Sequence, residues 1–157
     1  MTGATNVPNK QLPSTGLGNA TSLALLSALQ SAHRLIDVAF AEMEHVACGD
    51  LPDVQRFSVA RMRIAQANLA RRRLIDRIVT HLTSAISTEE WDAVRDLRRR
   101  DESCFQKVSE LVRHWTPEAV TSDWAGYCVA SKSTRAGILQ IVTAERELLY
   151  PLLANMR

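Results

Sequence analysis

Apolar residues recur every three or four positions in four long stretches of the chain, the pattern of helices that bury one side. Polar breaks separate these stretches, with the sequences CGDLPD at 48–53, STEE at 87–90 and TPEA at 116–119. The breaks contain residues that begin helices, such as Ser87 before two glutamates and Thr116 before a proline. Because short connections favour antiparallel neighbours, the pattern predicts an all-α, up-down-up-down antiparallel four-helix bundle.

The N-terminal stretch, residues 1–19, has no such periodicity and is rich in Gly, Asn, Thr and Pro. It predicts a flexible leader. Residues 20–157 predict a single domain, since a chain of 157 residues with 46% hydrophobic content can form one sizeable core. Gly126 and Gly137 lie in the fourth stretch and weaken a helix, so we expect that helix to bend or to begin after Pro117.

Each apolar stripe contains one ionisable side chain: His33, Arg71, Asp101 or Glu145. A charged group buried alone is costly, whereas a paired and hydrogen-bonded one is tolerated, so we predict that these four residues meet in a buried polar cluster. The alternative is that some of them lie at the edge of the stripe and reach water, Arg71 above all because of its long stem. The stripes, in chain order, are Leu26, Leu29, His33, Ile36, Phe40 and Met43; Phe57, Ala60, Ile64, Ala67, Arg71, Leu74 and Ile78; Val94, Leu97, Asp101, Cys104, Val108, Leu111 and Trp115; and Ile138, Ile141, Glu145, Leu148 and Leu152.

Charge and cysteine content narrow the class of protein. The formal net charge of +2 describes a nearly balanced surface, which demands neither nucleic acid nor an anionic membrane as partner. The three cysteines are odd in number and widely spaced, which favours reduced thiols and a cytoplasmic protein. Cys104 is expected to be a buried, inert thiol. The apolar run at 23–29 is too short to span a bilayer, so we expect no membrane association.

Two motifs carry a family resemblance. Glu145 is followed by the sequence LYPL at 149–152, and residues 109–127 read SELVRHWTPEAVTSDWAGY. Together they resemble the bacterial hemerythrin-like (HHE cation-binding) proteins, over roughly residues 23–154, and His33 resembles the first-helix histidine of that family. The resemblance implies a four-helix bundle which, in the family, holds a diiron centre between inward-facing histidines and carboxylates.

The ligand set implied by the resemblance is incomplete in this chain. The second helix of the family usually carries H-x-x-x-E, and the matching register places Arg71 and Ile75 at those two positions. The ligand position of the third helix falls near Asp101 or Glu102, and the fourth helix has Glu145 without a neighbouring histidine. The resemblance therefore implies a degenerate metal site, whose retained ligands would be His33, Asp101, Glu102 and Glu145.

The leading hypothesis is that the Arg71 guanidinium bridges Asp101 and Glu145 and supplies the positive charge that iron supplies in the relatives. The protein would then be non-enzymatic, free of cofactor, and a binding or regulatory protein with a protein partner. One alternative keeps an incomplete iron site, which would make the protein an oxygen or redox sensor. Another takes the arginine runs at 71–73 and 98–100 as part of a basic helical module that binds nucleic acid.

Overall fold

The structure, a computed structural model, describes residues 15–156. In this range every regular element is an α-helix, which confirms the predicted all-α class. None of the described helices combines the length and the apolar content needed to cross a bilayer. The helices are α1 Thr15–Ala47, α2 Val54–Leu82, α3 Thr88–His114, α4 Pro117–Ser122 and α5 Trp124–Asn155.

Side-chain caps define where several of these helices begin. The Ser87 hydroxyl accepts a hydrogen bond from the Glu90 backbone N–H, and the Glu90 carboxylate accepts one from the Ser87 N–H, which is a complete capping box. The Thr116 hydroxyl accepts from the backbone N–H of Ala119 ahead of Pro117. These caps stabilise helix starts that the polar breaks predict.

The fourth apolar stretch forms two helices, because Asp123 interrupts it. The Asp123 side chain caps α5 by accepting a hydrogen bond from the Gly126 backbone N–H at 2.9 Å. A Cβ atom on residue 126 would overlap that carboxylate, so the close approach requires glycine. The main helix of this stretch thus begins at Trp124, after Pro117 as expected.

The first helix begins earlier than the sequence pattern suggests. α1 starts at Thr15, inside the stretch 1–19 that we assigned to the leader. Ser22 in its second turn is fully buried, and its hydroxyl lies 2.8 Å from Nε2 of His81 and 3.6 Å from the sulfur of Met156. These contacts hold the beginning of α1 against the ends of α2 and α5. The rest of the predicted leader, residues 1–14, lies outside the described residues.

Close packing joins α1 to α2 and α5, α3 to α5, and α4 to α5. Long side chains connect α2 to α3: Arg61 donates to the Trp115 carbonyl, Arg72 pairs with Asp101, and Arg98 pairs with Asp76. Along these pairs the residue numbers rise on one helix and fall on the other. Side-chain contacts therefore tie α3 to α2 as well as to α5.

The core consists of apolar groups with a polar layer between them. Along α1, His33 separates Leu29, which packs with Ile78, from Ile36, which packs with Ile138. On α5 the buried row after Glu145 is Leu149 and Leu153, whereas Leu148 and Leu152, which we assigned to the stripe, are half-buried. The predicted stripe was therefore wrong by one residue at these two positions. The reason is that α5 packs against both α1 and α3, so its buried face is wider than a single row of residues.

Candidate functional site

Four ionisable side chains that interrupt the apolar stripes lie together in the structure. His33 comes from α1, Arg71 from α2, Asp101 from α3 and Glu145 from α5, and none of them is more than 7% exposed. We call these four residues, with the neighbours that hydrogen-bond to them, the arginine cluster. The cluster connects the four long helices of the described chain through side chains alone.

Arg71 lies at the centre of the arginine cluster and is 1% exposed. Its Nη1 donates to Oε1 of Glu145, and its Nη2 donates to Oδ1 of Asp101 at 2.6 Å. The amide oxygen of Asn68, one turn earlier in α2, accepts from Nε at 3.2 Å and from Nη2 at 3.0 Å. All three guanidinium nitrogens are therefore bonded, as a buried arginine requires.

Glu145 divides its carboxylate between two helices. One oxygen accepts from Arg71, and the other, Oε2, lies 2.8 Å from Nε2 of His33. Because a carboxylate only accepts, Nε2 carries a proton, and in the neutral imidazole Nδ1 then accepts the hydroxyl proton of Tyr150 across 2.7 Å. The Tyr150 ring also stacks on His33, with 5.6 Å between ring centroids. Glu145 thus fixes the tautomer of the neutral His33 ring, and Tyr150 holds the orientation of that ring.

The second carboxylate oxygen of Asp101 accepts a hydrogen bond from another arginine, Arg72. Oδ2 accepts from Nε of Arg72 at 3.0 Å, and Arg72 also donates to the exposed Glu102 at 2.6 Å. The Arg72 guanidinium lies 4.0 Å from the centroid of the Phe105 ring. Burial by itself would lower the pKa of Arg72, but the hydrogen bonds and charges of Glu102 and Asp101 outweigh it and raise that pKa. Two arginines therefore balance the two buried carboxylates.

The cluster is a closed hydrogen-bond network. Among the residues that the structure describes, no buried side-chain nitrogen or oxygen is left without a partner. A network of this kind holds helices in register, because a shift of any of the four helices would break at least one bond to a neighbouring helix.

The metal site implied by the resemblance does not fit these residues. The positively charged Arg71 guanidinium lies between Asp101 and Glu145, the two buried carboxylates that would have to share a metal. Glu102 points to the exposed side of Arg72 and does not reach the cluster core. Within residues 15–156, no three His, Cys, Asp or Glu side chains are grouped so that they could hold a metal ion. The absence of a cofactor stays a prediction.

The thiol nearest the cluster is Cys104, one turn after Asp101 and half-buried. Burial raises the pKa of the Cys104 thiol, and the Asp101 charge raises it further against the opposing charge of Arg71. A thiol of this kind stays protonated near neutral pH and is a poor nucleophile.

Three partners in the cluster were not predicted: Asn68, Arg72 and Tyr150. Asn68 precedes Arg71 by three positions, so a helical reading places an amide oxygen on the same face as the guanidinium. Arg72 follows Arg71 in the arginine run that one alternative assigned to nucleic-acid binding, yet it is half-buried and pairs with Asp101. Tyr150 was noted as part of the LYPL motif without a role. The sequence contains a local signal for Asn68 but none for the other two.

Comparisons with known proteins add no relative to this description. No protein-family model, no curated protein and no solved structure matches the chain. The hemerythrin-like resemblance therefore stays a prediction from the motifs.

Proposed function

We propose that this protein is a non-enzymatic, hemerythrin-like bundle in which Arg71 takes the place of a metal centre and which acts as a binding or regulatory protein. The observation that carries the proposal is the position of the Arg71 guanidinium, bonded to Glu145 and Asp101 while Glu145 also contacts His33. Side chains of the types that bind iron in hemerythrin-like proteins thus surround the Arg71 guanidinium.

We infer the up-down-up-down arrangement of the four long helices from the residue pairs that join them. Besides the pairs between α2 and α3, Glu42 of α1 pairs with Arg63 of α2, and Ser22 lies beside His81. Between α1 and α5, Arg146 pairs with Asp37, and Arg135 donates to the Phe40 carbonyl. Between α1 and α2, and likewise between α1 and α5, the residue numbers of these pairs rise on one helix as they fall on the other, which supports antiparallel neighbours.

The proposed activity is exerted through the surface and through binding, since the arginine cluster uses its polar groups on one another. Two large apolar side chains of α1, Leu35 at 58% and Val38 at 60%, are exposed and line the same groove between α1 and α2. Exposed apolar residues of this kind are typical of protein–protein contact sites when they lie close together. They support a protein partner as the target of regulation.

The test is the metal content of the protein expressed in iron-supplemented medium and purified without chelator. We expect a well-folded helical protein with no stoichiometric metal and no oxo-bridge charge-transfer band in the visible spectrum. Stoichiometric iron with that band would overturn the proposal and favour an oxygen or redox sensor. A substoichiometric metal signal that survives the Glu145→Gln substitution would be unrelated to the cluster, and the proposal would stand.

A further inference from the structure

A cavity of about 350 Å³ adjoins the arginine cluster at Asn68 and is lined mainly by residues of α2, α3 and α5. Its volume falls in the range of small-molecule sites, about 300–1,000 Å³. Met62 and Val112, 53% and 48% exposed, lie on its solvent side. Most of its wall is apolar and includes Met43, Phe57, Ile64, Val108, Leu111 and Ile138. The cavity is therefore suited to the apolar body of a small ligand.

A buried charged residue also lies in this mostly apolar wall. Arg135 lines the cavity and is 7% exposed. It donates to the backbone carbonyls of Ser131 at 3.4 Å and Phe40 at 3.3 Å, both of them neutral acceptors in helices. Within the described chain Arg135 has no ion pair, whereas Arg71, the other buried arginine, has two. A buried guanidinium without a counter-ion is costly, so its charge is unexplained by the protein itself.

The other charges around the cavity have the same sign. Arg61 also lines it, is half-buried, and donates to the carbonyls of Trp115 and Val112 rather than to an acid. No Asp or Glu is among the described residues that line the cavity. Burial raises the pKa of Tyr127, another wall residue, while its hydrogen bond with Ser131 and the two arginine charges oppose that rise. The cavity therefore offers two cations and a neutral hydroxyl, with no anion.

We infer that this cavity binds a small aliphatic monocarboxylic acid, with its carboxylate on Arg135 and its apolar chain along the wall between Phe57 and Leu111. A guanidinium donates to a carboxylate through a fork of two parallel N–H groups, and a singly charged head group neutralises the one buried arginine. Tyr127 and Ser131 precede Arg135 by eight and four residues on α5, so their hydroxyls lie on the same face of that helix. The apolar wall then accounts for the rest of the ligand.

The site goes beyond the function proposed above and does not depend on it, because Arg135 is not part of the arginine cluster. The two regions share one residue. Asn68 lines the cavity, and its amide oxygen accepts from Arg71 at 3.0 Å. Binding in the cavity thus touches a residue that holds the cluster, which gives the ligand a route to the rest of the bundle.

The experiment is a calorimetric titration of the full chain with decanoate and decyltrimethylammonium, each kept below its micelle concentration, and with decan-1-ol, kept below its solubility limit. We expect saturable binding of one decanoate per chain, tighter than that of decan-1-ol by roughly tenfold or more, because the charge-assisted bond to Arg135 is lost with the alcohol. We expect the cation not to bind. Decanoate binding no tighter than that of decan-1-ol would overturn the inference.

Two variants locate the site. Arg135→Met keeps the unbranched apolar stem of the side chain and removes the charge, so we expect it to lose decanoate affinity by roughly tenfold or more and to leave decan-1-ol affinity unchanged. Arg99→Met is the control, since Arg99 lies outside the cavity with a side chain that is 79% exposed. Equal decanoate affinity in Arg135→Met and wild type would also overturn the inference.

A third variant tests whether the ligands bind in the cavity if Arg135→Met does not fold. Ala65 is an exposed wall residue of the cavity, so Ala65→Trp narrows the site without disturbing the core. We expect Ala65→Trp to bind both decanoate and decan-1-ol more weakly than the wild type. Unchanged affinity for both ligands would count against the site. The metal analysis and this titration have independent outcomes, so the failure of one proposal is distinguishable from the failure of the other.

Discussion

Glu145 of α5 shares its carboxylate between Arg71 of α2 and His33 of α1, with one oxygen for each partner. This arrangement explains how a carboxylate is accommodated among leucines at 1% exposure. It also makes the folded state sensitive to each partner, because removing one member of a buried ion pair leaves the others uncompensated.

Replacing Arg71 by methionine should destabilise the protein severely. Arg71→Met leaves Glu145 without its cation and removes one of the two arginines on Asp101, so we expect the free energy of unfolding to fall by about 3–5 kcal/mol. The measurement is urea denaturation followed by circular dichroism. Arg73→Met is the matched control, because Arg73 is exposed on the same helix and should change stability by less than about 0.5 kcal/mol. An Arg71→Met protein as stable as wild type would contradict the central role of the guanidinium.

Asp101 and Glu102 are neighbours in sequence whose substitution should destabilise the protein by different amounts. Asp101 is buried and accepts from both Arg71 and Arg72, whereas Glu102 has a 56% exposed side chain paired with Arg72 alone. We expect Asp101→Asn to cost about 1.5–3 kcal/mol, the range for hydrogen bonds to charged groups. Glu102→Gln should cost less than about 1 kcal/mol, since exposed ion pairs contribute little. Equal unfolding midpoints for the two variants in urea would show that burial does not separate them.

The hydroxyl of Tyr150 should contribute through His33. Tyr150→Phe keeps the ring that stacks on the imidazole and removes the partner of Nδ1 at 2.7 Å, so we expect a loss of about 0.5–1.5 kcal/mol. Nitrogen-15 NMR of the His33 ring gives the second measurement. In the neutral ring we expect a protonated Nε2 and an unprotonated Nδ1, and the Nδ1 signal should shift in Tyr150→Phe. A proton on Nδ1 and none on Nε2 in the neutral ring would contradict the assigned tautomer.

The three thiols should differ in their rates of reaction with a disulfide reagent. Cys48 is exposed, whereas burial raises the pKa of Cys104 and of Cys128 and lowers the thiolate fraction of both at neutral pH. We expect one fast phase and two slow thiols per chain, with the fast phase absent in Cys48→Ser. Rapid reaction of Cys104 in the folded protein would contradict the expectation of an inert thiol.

Stability should decline at alkaline pH. Burial raises the pKa of Tyr127 above its ordinary value of 10.0, so the unfolded chain gives up this proton first as the pH rises. The contribution of Tyr127 to stability is therefore complete below that unfolded value and is lost as the pH rises through the higher folded value. Cys104 acts with the same sign, starting from an ordinary value of 9.0. Urea midpoints measured as the pH rises should fall for the wild type and fall less for Tyr127→Phe; parallel curves would refute the assignment.

Much of the local structure follows from recognisable signals in the sequence. Ser87 with Glu90, and Thr116 with Pro117, are caps whose side-chain chemistry acts within one turn. The four ionisable residues on the stripes stand out because each interrupts an apolar row, and hydrophobic periodicity identifies such a row without knowledge of the neighbouring helix. A bend or a start after Pro117 was expected in the fourth stretch, but the position of the break at Asp123 was not, since its cause is the approach of that carboxylate to Gly126.

The sequence by itself determined that the described chain is helical, where most of its helices begin, and that His33, Arg71, Asp101 and Glu145 belong to inward-facing rows. Only the tertiary structure decided that Tyr150 bonds to His33, that Arg72 reaches Asp101, that Leu149 and Leu153 are the buried leucines, and that Arg135 faces a cavity without an acid beside it. The physical reason is that a helical pattern repeats at every turn. It specifies which side of a helix is buried, but it does not specify how far one helix is shifted along its axis against the next, and that shift chooses the partner of each buried polar group.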